Sequence, residues 1–401
     1  MTKNYTLLTL TADRLLSVDE ERLRAVAAET GAEAVFGDYV RDGRRVPLIA
    51  PQSGSVRDDF DFGPVMLVND ERPAQYPGRD YASFYAMWLD MLGSIVHVPE
   101  VVAEVESIPR TEAGEAQFNY VDPRNRQAQI EKERIFTDWL ARRGGLVAPG
   151  RPVAHDGDFP VEASVIIPVK DRVATVGEAV ASALSQRTGF PFNVIVVDNH
   201  STDGTTRLLQ RMAADNPQVV HIVPEPGHGI GGCWNVALDS PQCGRFAVQL
   251  DSDDVYSSQA TLQTIVDKFR ETGAACVIGS YTLTDFDLNV IPPGLIDHAE
   301  WTDANGANNA LRINGLGAPR AFYTPIAREL RFPDVSYGED YAMVLRISRE
   351  YRIGRIFESI YNCRRWGGNS DSNLSQEKIN ANNRYKDRIR SVELEARIKM
   401  K

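Results

Sequence analysis

Short runs of consecutive apolar residues alternate with amphipathic stretches between residues 161 and 282. Apolar runs bounded by turn residues are typical of buried strands, and the stretches between them have helical spacing. The predicted strands are 164–169, 193–198, 219–224, 246–250 and 275–281, and the predicted helices are 173–186, 202–214, 231–238 and 258–272. This alternation indicates βαβ crossovers, so we predict an α/β fold with a mostly parallel sheet and flanking helices.

The pattern becomes irregular beyond residue 282 and is rich in Asn, Gly and Pro, which is typical of loops that carry an active site. A charged helix is predicted near the end of the chain, over residues 376–399. Residues 146–160 contain Pro and Gly without periodicity and are predicted to be a linker.

The N-terminal third repeats the order of features in the second half. Residues 29–39 match residues 271–281 at seven of eleven positions. Two further intervals, 78–82 and 98–102, parallel 338–342 and 356–360, and a charged helix follows each copy. We therefore predict a duplication, in which residues 1–145 are a non-catalytic α/β half-copy, 146–160 the linker, 161–372 the catalytic domain and 373–401 a C-terminal helix.

The half-copy lacks the strands that precede residue 250 in the second half, so we expect no catalysis from it. Its Asp80 stands where Asp340 stands, and Asp13 is a candidate remnant of the acidic motif described below.

The composition is that of a globular protein, with 43% hydrophobic and 25% charged residues. No apolar run approaches the ~20 residues of a membrane span, and the N-terminus lacks the apolar core of a signal peptide. The four cysteines have no metal-ligand spacing, which favours a reducing, cytoplasmic setting. The net charge of −11 argues against a nucleic-acid partner but leaves a nucleotide ligand open.

A cluster of carboxylates follows the predicted strand 246–250, in the sequence Leu250-Asp251-Ser252-Asp253-Asp254. Carboxylates crowded at a strand end repel one another unless a cation or solvent compensates them. Mg²⁺ and similar cations bind one or two carboxylates together with substrate phosphates, and ligands of α/β sheets bind at the carboxyl ends of strands. The cluster therefore favours a metal that bridges to a diphosphate. The alternative is an acidic helix start, capped by Asp254 or Ser257.

The other polar motifs follow strand ends or turns in a fixed order, at 168–172, 198–205, 227–235, 338–340 and 364–366. Together with the acidic cluster, this series resembles the family 2 glycosyltransferases, an inverting class with the GT-A fold. The resemblance covers about residues 161–370. It implies a GT-A sheet in the catalytic domain, a nucleotide-diphosphate sugar as donor, an acceptor hydroxyl, and Mg²⁺ or Mn²⁺ as cofactor.

The resemblance also implies a role for each motif residue. Asp340 matches the general base and Glu339 is expected to orient the acceptor, while Asp253 and Asp251 match the metal-binding pair. Trp366 is expected to stack on the acceptor sugar. The residues expected to bind the donor are Pro168, Asp171, Asp198, Asp203, Gly231, Asn235, Asp251, Arg364 and Arg365. Structural alternatives are helix capping by Asp203, a turn role for Asp198 and for the glycines, an acid at a helix start for Asp340, and core packing by Trp366.

Two other functions compete with this one. A sugar nucleotidyltransferase would carry a Gly-rich, basic signature after the first strand, and the sequence Pro168-Val169-Lys170-Asp171-Arg172 does not supply it. A non-catalytic scaffold for nucleotide sugars or glycans is disfavoured by the intact Asp251, Asp253 and Asp340. Uridine donors are expected ahead of guanosine donors, and acceptors in solution or at a membrane surface both stay open.

The loop 52–63 of the half-copy is interpreted either as a surface loop or as a sugar-contacting loop. Roles open to the half-copy are covering a sheet edge, mediating a homodimer and helping to bind an acceptor.

Overall fold

The computed structural model describes residues 4–76, 81–108, 126–367, 369 and 374–400. The chain divides into two compact units. The first falls within Met1–Leu146, Leu311–Asn314 and Asn373–Lys401, and the second within Val147–Ala310 and Gly315–Ser372. The helix predicted at 376–399 is therefore part of the first unit.

The elements begin, in chain order, with β1 (Tyr5–Thr9), β2 (Arg14–Val18), α1 (Glu20–Thr30), β3 (Ala34–Arg41), β4 (Arg44–Val46), β5 (Val65–Asn69), α2 (Glu71–Gln75), α3 (Tyr81–Met91), β6 (Ile95–Glu106) and α4 (Arg126–Arg142). They continue with β7 (Ala163–Val169), α5 (Val176–Leu184), β8 (Phe192–Asp198), α6 (Thr205–Asp215), β9 (Val219–Ile222), α7 (Ile230–Asp239), β10 (Phe246–Gln249), β11 (Val255–Tyr256), α8 (Thr261–Thr272) and β12 (Cys276–Thr284). The last are β13 (Val290–Ile296), α9 (Gly306–Asn309), β14 (Arg320–Tyr323), α10 (Thr324–Leu330), α11 (Glu339–Ser348), β15 (Ile353–Arg364) and α12 (Gln376–Lys399).

The second unit is built on a nine-stranded sheet with the order β11-β15-β12-β14-β10-β7-β8-β9, and β13 pairs with β12. Strands β7, β8, β9 and β10 are parallel, β14 is antiparallel to both β10 and β12, and β15 is parallel to β12. Six of these nine described strands thus run in one direction. The predicted α/β fold with a largely parallel sheet and flanking helices is confirmed.

The position of β7 decides where a ligand can bind. The chain runs outward from β7 to β8 and β9, then returns to place β10 on the other side of β7. At such a reversal, the loops that follow the two neighbouring strands diverge and leave a crevice at the carboxyl edge of the sheet. In this unit the crevice lies beyond Val169 and Gln249.

Continuous burial explains why these strands form where the apolar runs predicted them. Val165, Ile166 and Ile167 in β7 are fully buried, as are Ala247 and Val248 in β10. Strands with helices packed on both faces are apolar on both sides. The helix α8 ends at Gly273, whose φ of +63° is the left-handed conformation that glycine adopts at little cost.

The first unit contains a six-stranded sheet with the order β1-β5-β3-β6-β2, in which β4 pairs with β3. Each pairing has a counterpart of the same direction in the series β10-β14-β12-β15-β11, where β13 pairs with β12. The pairing of β3 with β6 is irregular around Asp38, and that of β12 with β15 is irregular around Ser280, the corresponding position. The expected counterpart of Asp340, Asp80, lies outside the described residues.

The loop 52–63 is packed into the first unit over much of its length. Ser55, Arg57 and Asp58 are buried. The Ser55 hydroxyl donates to Asp387 of α12 at 2.8 Å, and the Arg312 guanidinium pairs with Asp58 at 2.6 Å. The surface-loop interpretation is therefore wrong for these residues, because a buried ionic network holds them. Among the described helices, none combines the length and the apolar content that a membrane span needs.

Candidate functional site

A cavity of about 420 Å³ opens in the second unit at the carboxyl ends of β7 and β10. Of the residues predicted to form the site, it is lined by Pro168, Asp251, Asp253, Glu339, Asp340 and Arg365. These residues are far apart in the sequence, and the sheet reversal at β7 brings their strand ends and loops together. The motif at 338–340 reaches the same cavity at the start of α11.

Asp251 is the first carboxylate of the acidic cluster 251–254, and two hydrogen bonds hold it in place. Its backbone N–H donates to the Tyr361 hydroxyl at 3.0 Å, and the Gln249 side-chain amide donates to its Oδ1 at 2.9 Å. Burial raises the pKa of Asp251, and the charges of Asp253 and Asp340 add to this, against the opposing effect of Arg320. A buried carboxylate whose neighbours are also negative is stabilised by any cation that enters the cavity.

Asp253 lines the cavity, and its Oδ2 atom accepts hydrogen bonds from more than one donor. The Trp366 indole donates to it at 3.1 Å and the Asn369 amide at 3.3 Å. The Arg172 Nε atom lies 4.0 Å from the same oxygen. Trp366 thus contacts the acidic cluster directly.

Asp254 and Arg364 support the cluster from behind. Asp254 is buried and accepts from the Arg364 backbone N–H at 2.7 Å, and burial beside Asp251 and Asp253 raises its pKa well above the usual range. The Arg364 guanidinium donates to the Asp253 carbonyl at 2.6 Å and pairs with Glu178. Arg364 is only 2% exposed and does not line the cavity, so its position is that of a support for the acidic loop.

The carboxylate of Asp340 faces the cavity from the first turn of α11. Its Oδ2 lies 2.9 Å from Nη2 of Arg320, and its Oδ1 accepts from the Tyr341 N–H at 2.6 Å. Each carboxylate oxygen can accept more than one hydrogen bond, so the ion pair leaves lone pairs open. Asp340 is therefore held in place and still able to accept a proton.

Glu339 is the buried neighbour of Asp340. It is 9% exposed, and its Oε2 has no hydrogen-bond partner among the described residues. Burial, reinforced by the charge of Asp340, raises the pKa of Glu339 to about 8. A carboxyl group with such a pKa is protonated at neutral pH and can donate a hydrogen bond into the cavity.

The elevated pKa of Glu339 predicts a pH-dependent stability. The folded state holds this proton more tightly than the unfolded chain, whose ordinary value is 4.5, so stability falls as pH rises from 4.5 through about 8. Glu339→Gln should therefore stabilise the protein at pH 9 and much less at pH 5, at about 1.4 kcal/mol per pKa unit removed. Denaturant unfolding at both pH values measures this, with the exposed Glu358→Gln as control. An equal effect of Glu339→Gln at the two pH values would contradict the shift.

Three acidic residues predicted to bind the donor accept hydrogen bonds from the loops beside the cavity. Asp171 accepts from the Thr202 N–H at 2.6 Å, and Asp203 accepts from the Thr205 N–H at 3.0 Å near the start of α6. Asp198 is fully buried; hydrogen bonds from Ser201 and Thr206 outweigh its burial and lower its pKa. None of the three lines the described cavity, and Asp203 accepts from the first residue of α6 although the N-cap position itself is Gly204.

The Gly-rich turn within the motif 227–235 packs against the segment that precedes Asp340. The Gly231 N–H donates to the Val335 carbonyl at 2.9 Å. The Asn235 side chain pairs with both backbone groups of Phe332, donating to its carbonyl at 2.8 Å and accepting from its N–H at 3.0 Å. These two predicted donor residues thus hold the 332–335 segment in place.

Gly231 leaves no room for a side chain. A Cβ atom there would lie 1.9 Å from the Pro333 carbonyl oxygen. We expect Gly231→Ala to destabilise the protein by about 1–3 kcal/mol, the usual cost of overpacking, and to reduce turnover because α11 follows this segment. Chemical denaturation checks the first effect. Gly177→Ala in α5 is the matched control, since its Cβ would meet nothing closer than 3.7 Å; equal stability losses for the two variants would refute the packing argument.

Arg365 and Trp366 directly follow β15, and of the two Arg365 lines the described cavity while Trp366 does not. The Arg365 backbone N–H donates to the Thr284 carbonyl at 2.8 Å, and its side chain lines the cavity. The Trp366 ring packs edge-on against Phe286, with the ring centres 5.3 Å apart. An aromatic ring beside a carboxylate is an arrangement that can bind a sugar by its apolar face and a hydroxyl.

Sequence reasoning missed Arg320, Gln249 and Tyr361, which contact the acidic cluster or Asp340. Gln249 had a signal, since a polar residue in an otherwise apolar strand usually has a buried partner. Arg320 had none, because β14 is only four residues long and antiparallel.

The acidic tip fits a hard divalent cation in the chemistry of its donors. Asp251 and Asp253 supply carboxylate oxygens on one side of the cavity. The charge of Asp253 raises the pKa of Asp251, and the charge of Arg320 opposes this. No group of three or more His, Cys, Asp or Glu side chains within the described ranges forms a complete metal cage. Two carboxylates that leave the remaining positions to water and phosphate are what Mg²⁺ accepts.

Comparison with known proteins shows what this unit is similar to. Residues 164–323 match the model of Glycosyl transferase family 2. Chondroitin synthase of Escherichia coli is 33% identical over 132 residues, which are 33% of this chain and 19% of that protein. Chondroitin synthase of Pasteurella multocida is 26% identical over 221 residues, 54% of this chain and 22% of that protein. The chain therefore spans about a fifth of the length of these relatives.

Among solved structures, the Staphylococcus aureus protein TarS (residues 1–349, in complex with UDP) is 21% identical. It covers 58% of this chain and 65% of its own, with a TM-score of 0.44. The family match over residues 164–323 and the similarity to the synthases confirm the inferred resemblance of the second unit to the family 2 glycosyltransferases.

Proposed function

We propose that this protein transfers a sugar from a nucleotide-diphosphate sugar to an acceptor hydroxyl, with inversion at the anomeric carbon and with Mg²⁺ or Mn²⁺ as cofactor. The observation that carries the proposal is that one cavity at the sheet reversal is lined both by the pair Asp251 and Asp253 and by Asp340. A transferase of this class needs carboxylates for a metal–diphosphate and a separate carboxylate for the acceptor.

Asp253, with Asp251, would hold the cation. When bound, the cation supplies charge neutralisation for the leaving diphosphate. Asp253 suits this role because its carboxylate lines the cavity, where Trp366 and Asn369 donate to it and Arg172 lies 4.0 Å away among the described residues. Arg364 keeps the loop in place through the Asp253 carbonyl.

Asp340 would act as the general base. The acceptor oxygen attacks the anomeric carbon, its proton passes to a carboxylate oxygen of Asp340, and the bond from the anomeric carbon to the diphosphate oxygen breaks. The diphosphate leaves with the electron pair, so the single displacement inverts the configuration. Glu339, protonated at neutral pH, is placed to donate to a substrate hydroxyl, and Trp366 offers a ring to the acceptor.

The donor nucleoside would lie along Pro168, Arg172 and Asn199, which line the β7 side of the cavity. The loops behind this side are held by the hydrogen bonds of Asp171, Asp198 and Asp203. Arg365, which lines the cavity, is proposed to contact a donor phosphate. We propose uridine ahead of guanosine as the base. The relatives are named for the glycans that they synthesise, which favours a glycan hydroxyl as the acceptor.

The first unit is proposed to be a half-copy of the second that has lost catalysis. Its support is the matching strand order, with β1, β5, β3, β6 and β2 in the places of β10, β14, β12, β15 and β11. Helices α1 and α8 both end at a left-handed glycine, Gly31 and Gly273. The half-copy has no counterpart of β7–β9 among the described residues, and hence no donor crevice. Dimerisation through it and a cytoplasmic location remain proposals.

The test is donor turnover by the full chain. UDP- and GDP-sugars are incubated with Mn²⁺ or Mg²⁺, with and without glycan acceptors, and release of nucleoside diphosphate is measured. We expect release with at least one donor, abolished by a chelator. Binding without release would favour the scaffold alternative. Pyrophosphate formation from a nucleoside triphosphate and a sugar phosphate would favour the nucleotidyltransferase.

A further inference from the structure

Arg320 begins β14 and directs its guanidinium into the cavity. Its Nη1 donates to the Gly317 carbonyl at 2.7 Å, and its Nη2 lies 2.9 Å from Oδ2 of Asp340. The side chain is 18% exposed, so water competes little with these contacts. The hydrogen bond to the Gly317 carbonyl restricts the rotation of the Arg320 guanidinium. The ion pair with Arg320 in turn restricts the Asp340 carboxylate.

Gln249 connects Arg320 to the acidic cluster. Its side-chain oxygen accepts from the Arg320 backbone N–H at 3.0 Å, and its side-chain nitrogen donates to Oδ1 of Asp251 at 2.9 Å. Gln249 is 4% exposed, and the Tyr256 hydroxyl donates to its backbone carbonyl at 2.9 Å. The amide is therefore fixed at both ends.

These contacts form one continuous chain across the cavity, from Asp251 through Gln249 and Arg320 to Asp340. Each link is a direct contact of 3.0 Å or less. The two ends are the carboxylates assigned above to the metal–diphosphate and to the acceptor proton. In an inverting displacement the attacking and leaving groups must lie in line on opposite sides of one carbon, so the spacing of these two carboxylates affects the rate directly.

We propose that Gln249 and Arg320 are positioning residues that act as a single bridge and set the placement of the base Asp340 relative to the donor site. The inference rests on the proposed function for what the two ends do. The bridge orders Asp340 before any substrate binds. Neither residue exchanges a proton or contacts the reacting carbon.

The bridge predicts a defect in turnover that is not a defect in donor binding. Arg320→Gln should lower kcat about 10²-fold, the effect expected when a reacting group is misplaced by about 1 Å. Gln249→Leu should lower kcat by about tenfold. Donor Kd should change by no more than about threefold in either variant, because a contact that matters only in the transition state lowers kcat without weakening substrate binding. Arg320→Lys keeps the charge without the planar fork and should lie between wild type and Arg320→Gln.

The double variant separates one bridge from two independent residues. If Gln249 and Arg320 act through the same contact chain, the double variant loses no more than Arg320→Gln alone, because coupled residues are not additive. If the kcat losses of the two single variants multiply in the double variant, the bridge is overturned.

Two variants away from the cavity serve as controls. They are Arg245→Gln, a similarly buried arginine paired with Glu162, and Gln186→Leu, a buried glutamine that also bridges backbone groups. Losses of kcat in the controls equal to those in the bridge variants would also overturn it.

A crystal structure of Arg320→Gln gives a readout that needs no activity. We expect the Asp340 carboxylate to leave its present orientation or to occupy several. An unchanged, singly ordered Asp340 would overturn the bridge even if turnover fell. If the wild-type chain releases no nucleoside diphosphate from any donor, the proposed function fails, and this structure still decides whether Arg320 positions Asp340.

Discussion

Asp340→Asn should lower the rate of sugar transfer by about 10²–10⁴-fold, the usual cost of losing a general base. Asparagine keeps the shape of the side chain and can still accept from the Tyr341 N–H, but it cannot take the acceptor proton. Donor affinity should change little, because the proposed role of Asp340 is toward the acceptor hydroxyl, while Asp253 and Asp251 are proposed to hold the metal–diphosphate. Transfer rate and donor Kd are measured separately.

The control for this variant is Asp267→Asn, an exposed carboxylate on α8 that pairs with Gln263. It should retain wild-type transfer. If Asp340→Asn keeps near-full transfer, or if its whole defect lies in donor binding, Asp340 has another role. A loss of the ion pair with Arg320 also follows from this substitution, so unfolding should be compared by denaturant titration before rates are interpreted.

Asp253→Ala should abolish the metal-dependent part of donor binding while the fold survives. The carboxylate lies at the open end of the cluster, and the loop backbone is held independently by the Arg364 guanidinium at the Asp253 carbonyl. Calorimetric titration of a nucleotide sugar with and without Mn²⁺ measures the effect. We expect wild type to bind more tightly with the metal and the variant to bind equally weakly in both conditions.

Asp267→Ala serves as the matched control, since it removes a carboxylate from the same unit away from the cavity. Removing Asp253 also relieves repulsion on Asp251 and Asp254, whose pKa values are both raised in part by its charge. The variant should therefore be at least as stable as wild type in the absence of metal. Metal-enhanced donor binding that persists in Asp253→Ala would remove this residue from the metal site.

The strands of the second unit that bear the donor side were predictable because their burial is continuous. The run 164–169 became β7 (Ala163–Val169) and the run 193–198 became β8 (Phe192–Asp198). Both strands have helices packed on their faces, so burial leaves a run of apolar letters in the sequence. The short antiparallel β14 left no such run, and its Arg320 therefore went unnoticed.

The roles of the motif residues were harder to predict than their presence. Asp198, Asp203 and Asn235 stand at the expected motif positions, yet their oxygens accept hydrogen bonds from the protein itself. A carboxylate near a strand end looks the same in sequence whether it faces a ligand or closes a loop. The choice depends on which N–H groups the neighbouring turn aims at it.

By itself, the sequence determined the α/β class, the resemblance to the family 2 glycosyltransferases and the acidic strand end, because these depend on local order along the chain. Tertiary structure alone decided which side chains meet. It brought Asp251 and Asp340 to one cavity, buried Arg364 behind the acidic loop, and linked Gln249 to Arg320 across two antiparallel strands. The physical reason is that contacts between distant segments follow from strand order and register, and neither is encoded in any single motif.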